Sequence, residues 1–366
     1  MTKTHETGVG AWLISAAPFA ALVLFGLEHG GLLHEEDGWV ALLSAALLLV
    51  SVFAAVHHAE VVALKVGEPF GSVLLALAVT VIETSLIVAA MLSGGAVENS
   101  LARDTVFSAV AIVLNGVVGL CLLVGGARYH EQAFRVRGTS SALSVLATLA
   151  VLTLILPNFT LAKLGPQYSP TQLVFIGALS VILYGVFVFV QSVRHRDYFL
   201  PETGSDGGEE PAPPSAAATA VSAFMLLVSL LAVVLLAETL SESLERAIQA
   251  AGLPASFLGV VIAALVLLPE SVAAVKAAYA NRVQTSLNLA IGSALASIGL
   301  TIPAVAGVSL YLGRELTLGL DAEGMALLLL TLFVSSLTLA TGRATILQGA
   351  VHLVIFGVFL LLAAVP

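Results

Sequence analysis

Two stretches of this chain, Phe70–Met91 (FGSVLLALAVTVIETSLIVAAM) and Phe257–Ala278 (FLGVVIAALVLLPESVAAVKAA), read as copies of one another and restrict the fold more than any other feature. Each is apolar along almost its whole length and carries a single acidic residue. These are Glu83 and Glu270, at equal distances from the opening phenylalanine (83−70 and 270−257). A hydroxyl follows each carboxylate, as Thr84 and Ser85 or as Ser271. A helix advances about 1.5 Å per residue, so both carboxylates fall roughly 20 Å along a helix, inside a hydrocarbon layer about 30 Å thick. An ionisable side chain at that depth is costly. It faces a water-filled cavity or a partner, and it marks an ion path.

The rest of the chain is of the same kind. Hydrophobic residues make up 59% of the 366 and charged residues 10%, whereas a soluble domain carries about 25% charged. An all-α polytopic membrane protein follows, embedded in a lipid bilayer. Spans are predicted over 11–27, 39–57, 70–92, 104–126, 140–162, 170–192, 218–238, 257–277, 285–311, 323–341 and 343–364, about eleven in all. The first run resembles a secretory signal in its small residues, but further spans follow it, so an uncleaved helix is the expectation. A net charge of −9 without a basic tract sets nucleic acid aside as a partner. The lone Cys121, in an apolar run, is expected to be an inert packed thiol with no internal disulfide.

Lysine and arginine orient the spans. With the N-terminus inside, Lys3, Lys65, Arg128, Arg135, Arg137, Arg194, Arg196, Lys276, Arg282 and Arg343 fall in inner segments, while Arg103, Lys163, Arg246 and Arg314 fall in outer ones. One break in composition, RHRDYFLPETGSDGGEEPAPPSAAA, follows the sixth span. Its Asp197, Glu202, Asp206, Glu209 and Glu210 read as a solvated acidic spacer rather than a calcium loop, since EF-hand spacing is absent. The expected organisation is an N-terminal helix with an acidic outer loop (1–38, including Glu28, Glu35, Glu36 and Asp37), a first repeat (39–192), a cytoplasmic linker (193–217) and a second repeat (218–366). Setting the first span aside leaves two groups of five, each with its glutamate on the second helix. Because each group has an odd number of spans, equivalent helices run in opposite directions. These are the inverted repeats of secondary transporters, whose site lies near the midplane.

Oxygen-bearing side chains accompany the glutamates. Thr80, Glu83 and Thr84 share one helical face; Asp104, Ser108, Asn115 and Gly119 form a small and polar stripe on the next span; Asn288, Ser293, Ser297 and Thr301 do so in the second half. Such oxygens suit a dehydrated cation, and calcium accepts mixed sets of carboxylate, amide and carbonyl ligands. The alternative is that the hydroxyls satisfy backbone carbonyls and the small residues pack helices. Pro269 removes one helical hydrogen bond and frees a carbonyl about one turn earlier, near Leu265 or Val266. Burial disfavours a charged carboxylate whereas a nearby cation favours it, so proton and metal compete for such a group. Alternating exposure of that group to the two sides gives antiport. His57, His58, Glu60 and Glu68 are expected to anchor the interface rather than to form a pH-sensitive vestibule, and His352 to be a hydrogen-bonded packing residue rather than a proton relay.

HHAEVVALKVGEPFGSVLLALAVTVIETSL, RDTVFSAVAIVLNGVVG, LLPESVAAVKAA with NRVQTSLNLAIGSALASIGLTIP, and TGRATILQGAVHL resemble the ChaA-type branch of the cation/proton (calcium/proton) exchangers, in the calcium:cation antiporter superfamily. The resemblance implies eleven helices, an acidic cytoplasmic linker, and export of Ca2+, or of Na+ or K+, against H+, with inorganic cations and protons as partners and no cofactor. It maps the essential acids to Glu83 and Glu270 and their polar supports to Asn115 and Ser297, with Thr84, Ser108, Asn288 and Ser293 as further candidates. VTVIE and VLLPE stand where the commoner exchangers have GNATE and GNAAE. The expected location is a bacterial inner (plasma) membrane with the N-terminus cytoplasmic. A passive channel would call for a recognisable filter, and an intramembrane enzyme for a nucleophile paired with a base or a zinc motif; neither pattern is present.

Overall fold

A computed structural model describes residues 9–33, 38–67, 70–92, 99–200 and 213–366, with no side-chain description for 9–13. The fold is all-α: α1 (Val9–His29), α2 (Gly38–Val66), α3 (Phe70–Leu92), α4 (Leu101–Tyr129), α5 (Val136–Phe159), α6 (Pro170–Arg194), α7 (Ala216–Ala250), α8 (Phe257–Tyr279), α9 (Val283–Leu312), α10 (Ala322–Ala340) and α11 (Ile346–Ala364). Ten of these, α2 to α11, are long and apolar enough to cross a membrane. Apolar side chains remain exposed on their outer faces, among them Val174, Phe175 and Ile182 of α6. Lipid accepts such a surface because every helix satisfies its own backbone. The protein is a multi-pass membrane protein built as an N-terminal helix followed by two inverted groups of five.

Several helices outrun the apolar windows that predict them. α7 continues to Ala250 rather than 238, because AETLSESLERAIQA keeps helix-forming residues after its hydropathy falls. α2 likewise runs through HHAEVVALK to Val66. Starts are set by capping. Ser215 accepts from Ala218 N at α7, Asp321 from Gly324 N at α10, and complete capping boxes, Ser169 with Gln172 and Thr345 with Gln348, open α6 and α11.

Compactness groups the helices otherwise than chain order does. A smaller unit contains α1, α2, α3 and α7; a larger one contains α4 to α6 and α8 to α11. In the smaller unit α2 packs along α7 and turns into α3 at Gly67, whose φ of +73° suits glycine. Gly71 then lies directly on α2, where a Cβ would come within 2.6 Å of the Ala63 carbonyl oxygen. In the larger unit α8 crosses α4 backbone to backbone, since a Cβ on Gly259 would come within 2.7 Å of the Asp104 carbonyl carbon.

The larger unit also holds two short antiparallel strands, β1 (Gln132–Ala133) and β2 (Arg343–Ala344), with Gln132 opposite Ala344. They place the TGRATILQG segment between α10 and α11. Loops of this unit are tied by a Lys163–Glu315 ion pair of 2.9 Å, in which Lys163 holds the Glu315 carboxyl below its ordinary range. Burial pushes the Tyr168 phenol up to about 12.

The expected spacer does not begin as spacer. Residues Arg196–Tyr198 form a 3-10 turn of the larger unit, the Asn288 amide donates to the Phe199 carbonyl at 2.6 Å, and the Arg135 guanidinium donates to the Asp197 carbonyl. Glu202, Asp206, Glu209 and Glu210 lie outside the described residues, as do His34, Glu35, Glu36, Asp37 and Glu68.

Candidate functional site

Glu83 belongs to the smaller unit. α3 buries one face against its neighbours, and on that face lie Thr80, Ile82, Glu83 and Ile87, with Glu83 only 1% exposed. The surrounding hydroxyls do different jobs. Thr80 donates to the Ala76 carbonyl (2.8 Å) and Ser85 to Val81 (2.6 Å), the usual way a helix absorbs a hydroxyl. The Thr84 hydroxyl is buried without a hydrogen-bond partner among the described residues. Thr84 and Ser85 line a cavity of about 470 Å³ whose opposite wall, on α7, carries Glu238 and Glu242. The carboxylate on α3 therefore stands next to hydroxyls that face an acidic cavity.

Glu270, in the larger unit, is 9% exposed, and Pro269 precedes it inside an uninterrupted α8. Lacking an N–H, Pro269 leaves the Leu265 carbonyl without its ordinary partner from residue 269. Ser271 donates to Leu267 at 2.7 Å and is thereby used by its own helix. Tyr184 of α6 is buried and packs on Gly299, where a Cβ would come within 3.0 Å of it. Gly299 lies in a π-helical turn, Ser297–Thr301, that widens α9. Ser297 and Thr301 are buried in that turn, and Ser293, one turn earlier, has a buried hydroxyl without a partner among the described residues.

α4 has the matching feature, a π-helical turn at Ile112–Val117 that contains Asn115. Wide turns of this kind inside α-helices often occur at functional sites, and this one divides the stripe from Asp104 to Gly119. Asp104 pairs with Arg103 (2.7 Å) and accepts from Ser100, while Ser108 donates back to the Asp104 carbonyl at 2.6 Å. Beyond the wide turn, Asn115 is fully buried; its amide donates to Thr331 Oγ1 on α10 (2.8 Å), and its oxygen lies 3.3 Å from Nδ1 of His352 on α11. His352 Nε2 lies 3.1 Å from Thr338 Oγ1. The structure thus gathers Asn115 with His352, Thr331 and Thr338, a set in which only Asn115 and His352 stand out in the sequence. Thr331, Ser335 and Thr338 recur at helical spacing on α10, a stripe that could have signalled it.

Other candidates are placed apart from these groups. Asn288 uses its amide on Phe199 and its oxygen on Gln284 Nε2 (2.8 Å), so its side chain secures the segment after α6. His58 is buried with Nδ1 3.4 Å from Ser222 Oγ of α7, whereas His57 and Glu60 are exposed. Cys121 is buried and free. Among the described residues no three His, Cys, Asp or Glu gather as a metal cluster.

The family described as sodium/calcium exchanger protein matches residues 38–193 and 221–365, most of the chain. The chain belongs to this family. Relatives of the exchanger agree along their length. The "Putative ionic transporter y4hA" of Sinorhizobium fredii is 52% identical over 365 residues, covering 100% of this chain and 98% of that one. The "Sodium-potassium/proton antiporter ChaA" of Escherichia coli is 35% identical over 325 residues, 88% of each. The solved structure of the selenium-substituted Ca2+/H+ antiporter protein YfkE superposes with a TM-score of 0.72 at 16% identity, over 98% of this chain and 100% of that one. That likeness extends the exchanger fold to the whole described chain.

Proposed function

We propose that this chain is a secondary antiporter that exchanges cations, Ca2+ foremost, for protons across a bacterial inner membrane, with Glu83 and Glu270 as the carboxylates that take up both. The observation that carries the reading is the burial of one glutamate, at 1% and 9% exposure, at the same position in each of two sequence copies on membrane-crossing helices. A carboxylate withdrawn from water must be neutralised, by a proton or by a cation. The two ligands are alternatives, so a carrier that exposes the loaded carboxylate first to one side and then to the other moves them in opposite directions. Thr84, Ser293, Ser297 and Asn115 contribute supporting oxygens or hold the helices that carry them, while Ser108 and Asn288 serve the fold. Transport, with no bond made or broken in a substrate and no cofactor, accounts for these residues; catalysis does not.

The repeats are taken as 39–192 and 218–366, joined by 193–217 and preceded by 1–38, a division supported by the two segments, 38–193 and 221–365, in which the family matches. A cytoplasmic N-terminus is supported by the excess of lysine and arginine in the connections it places inside. A second reading, with Na+ and K+ as the main cargo, is favoured by the name of the Escherichia coli relative at 35% identity. The test is proton movement in sealed vesicles with an imposed pH gradient, across Ca2+, Na+, K+ and Mg2+. Dissipation of the gradient by Ca2+, Na+ or K+ is expected, and a gradient that none of them dissipates would remove the antiport reading.

A further inference from the structure

His352 is a fully buried titratable side chain with no part in the exchange so far described. The fold goes to some length to bury it. α11 approaches α4 through glycines: a Cβ on Gly349 would lie 2.4 Å from Leu123 N, and one on Gly119 would lie 2.9 Å from the His352 Cβ. Small residues let the two backbones meet, and the imidazole is thereby set against the wide turn of α4.

Its hydrogen bonds define its state. The Asn115 amide donates to Thr331 Oγ1, which leaves the Asn115 oxygen as the acceptor that faces His352 Nδ1. With the Asn115 amide so placed, the tautomer that satisfies both ring contacts carries its proton on Nδ1 and lets the Thr338 hydroxyl donate to Nε2. Reversing the Asn115 amide would require the ring to carry its proton on Nε2 and the Thr331 hydroxyl to donate, so ring and carboxamide are coupled in either arrangement. His352 and Thr331 together hold the carboxamide in place.

We propose that His352 is a positioning residue of the exchanger: through its Nδ1–H it fixes the Asn115 carboxamide in the π-helical turn of α4 and thereby sets cation affinity, while touching neither cation nor transported proton. The proposal rests on the antiport reading above. His352→Leu removes the donor and leaves a buried amide oxygen short of a partner, whereas His352→Gln can again donate an N–H to it. Loss of one such hydrogen bond is worth about tenfold in affinity.

The experiment measures Ca2+- and Na+-driven proton flux in vesicles for the unsubstituted chain, His352→Leu, His352→Gln, Asn115→Ala and the Asn115→Ala/His352→Leu pair. His352→Leu should raise the half-saturation concentration about tenfold with maximal rate changed less than about twofold. His352→Gln should restore most of the affinity, and in the Asn115→Ala background His352→Leu should add nothing. Should His352→Leu fail to insert, Thr331→Val, which removes the other anchor and keeps the shape, carries the same expectation. Full affinity in His352→Leu, a fall in maximal rate alone, failure of Gln to rescue, or additive losses in the double variant would each overturn the positioning role while leaving antiport standing. An unsubstituted chain that moves no protons against cations would overturn both.

Discussion

The helices α3 and α8 begin as copies and end as different environments. Both bury a glutamate at the same position, but what surrounds it diverges. On α3 the carboxylate is all but inaccessible and the following Thr84 keeps an uncommitted hydroxyl beside an acidic cavity. On α8 the corresponding Ser271 is spent on its own helix, and Pro269 offers a backbone oxygen where α3 has Ile82 and an unbroken ladder. The shared feature is the one the proposed antiport needs, a buried carboxylate for which proton and cation are alternative ligands. The neutral oxygens around it differ between the copies, and a carbonyl can stand in for a hydroxyl toward a hard cation.

The comparison can be broken at several points. The largest effect is expected from Glu83→Gln and Glu270→Gln, each of which keeps volume but cannot release a proton. Each should lower coupled flux by about a hundredfold or more, the scale of losing a charged ligand. Flux in reconstituted vesicles, alongside a check of insertion, measures this, and near-normal exchange by either variant would end the equivalence of the two copies. An intermediate effect should separate the hydroxyls. Thr84→Val is expected to raise the half-saturation concentration about fivefold, while Ser271→Ala should stay within about twofold; equal effects would mean the α8 hydroxyl is less committed than its 2.7 Å bond indicates. The smallest effect is expected for deletion of Glu202 to Pro211, which should keep coupled exchange within about twofold. Loss of all transport by an inserted deletion would show that this segment belongs to the transport machinery.

Much of this was readable without coordinates, for definable reasons. Span α3 is predicted at 70–92 and observed at Phe70–Leu92, because glycine and proline flank a run of uniform hydropathy. The end of α7 was not readable, since hydropathy and helicity part company after Ala237. Asn115 stood out as an amide in an apolar run, but its partners did not. A π-helical turn leaves no compositional trace, and the stripe counted from Asp104 assumed an unbroken α-helical period. Thr331 and Thr338 carried a periodic signal on α10, but nothing in the sequence says which helix they meet.

The central claim, that one set of carboxylates serves proton and cation in turn, is tested most directly by measuring cation flux and internal pH together at several loading-side pH values, with the membrane potential clamped. Protonation removes negative charge from the carboxylates, so lowering the pH on the cation-loading side should raise the half-saturation concentration for the cation while maximal rate changes little. Cation flux without opposing proton movement, or coupled movement whose cation affinity is indifferent to pH, would contradict it.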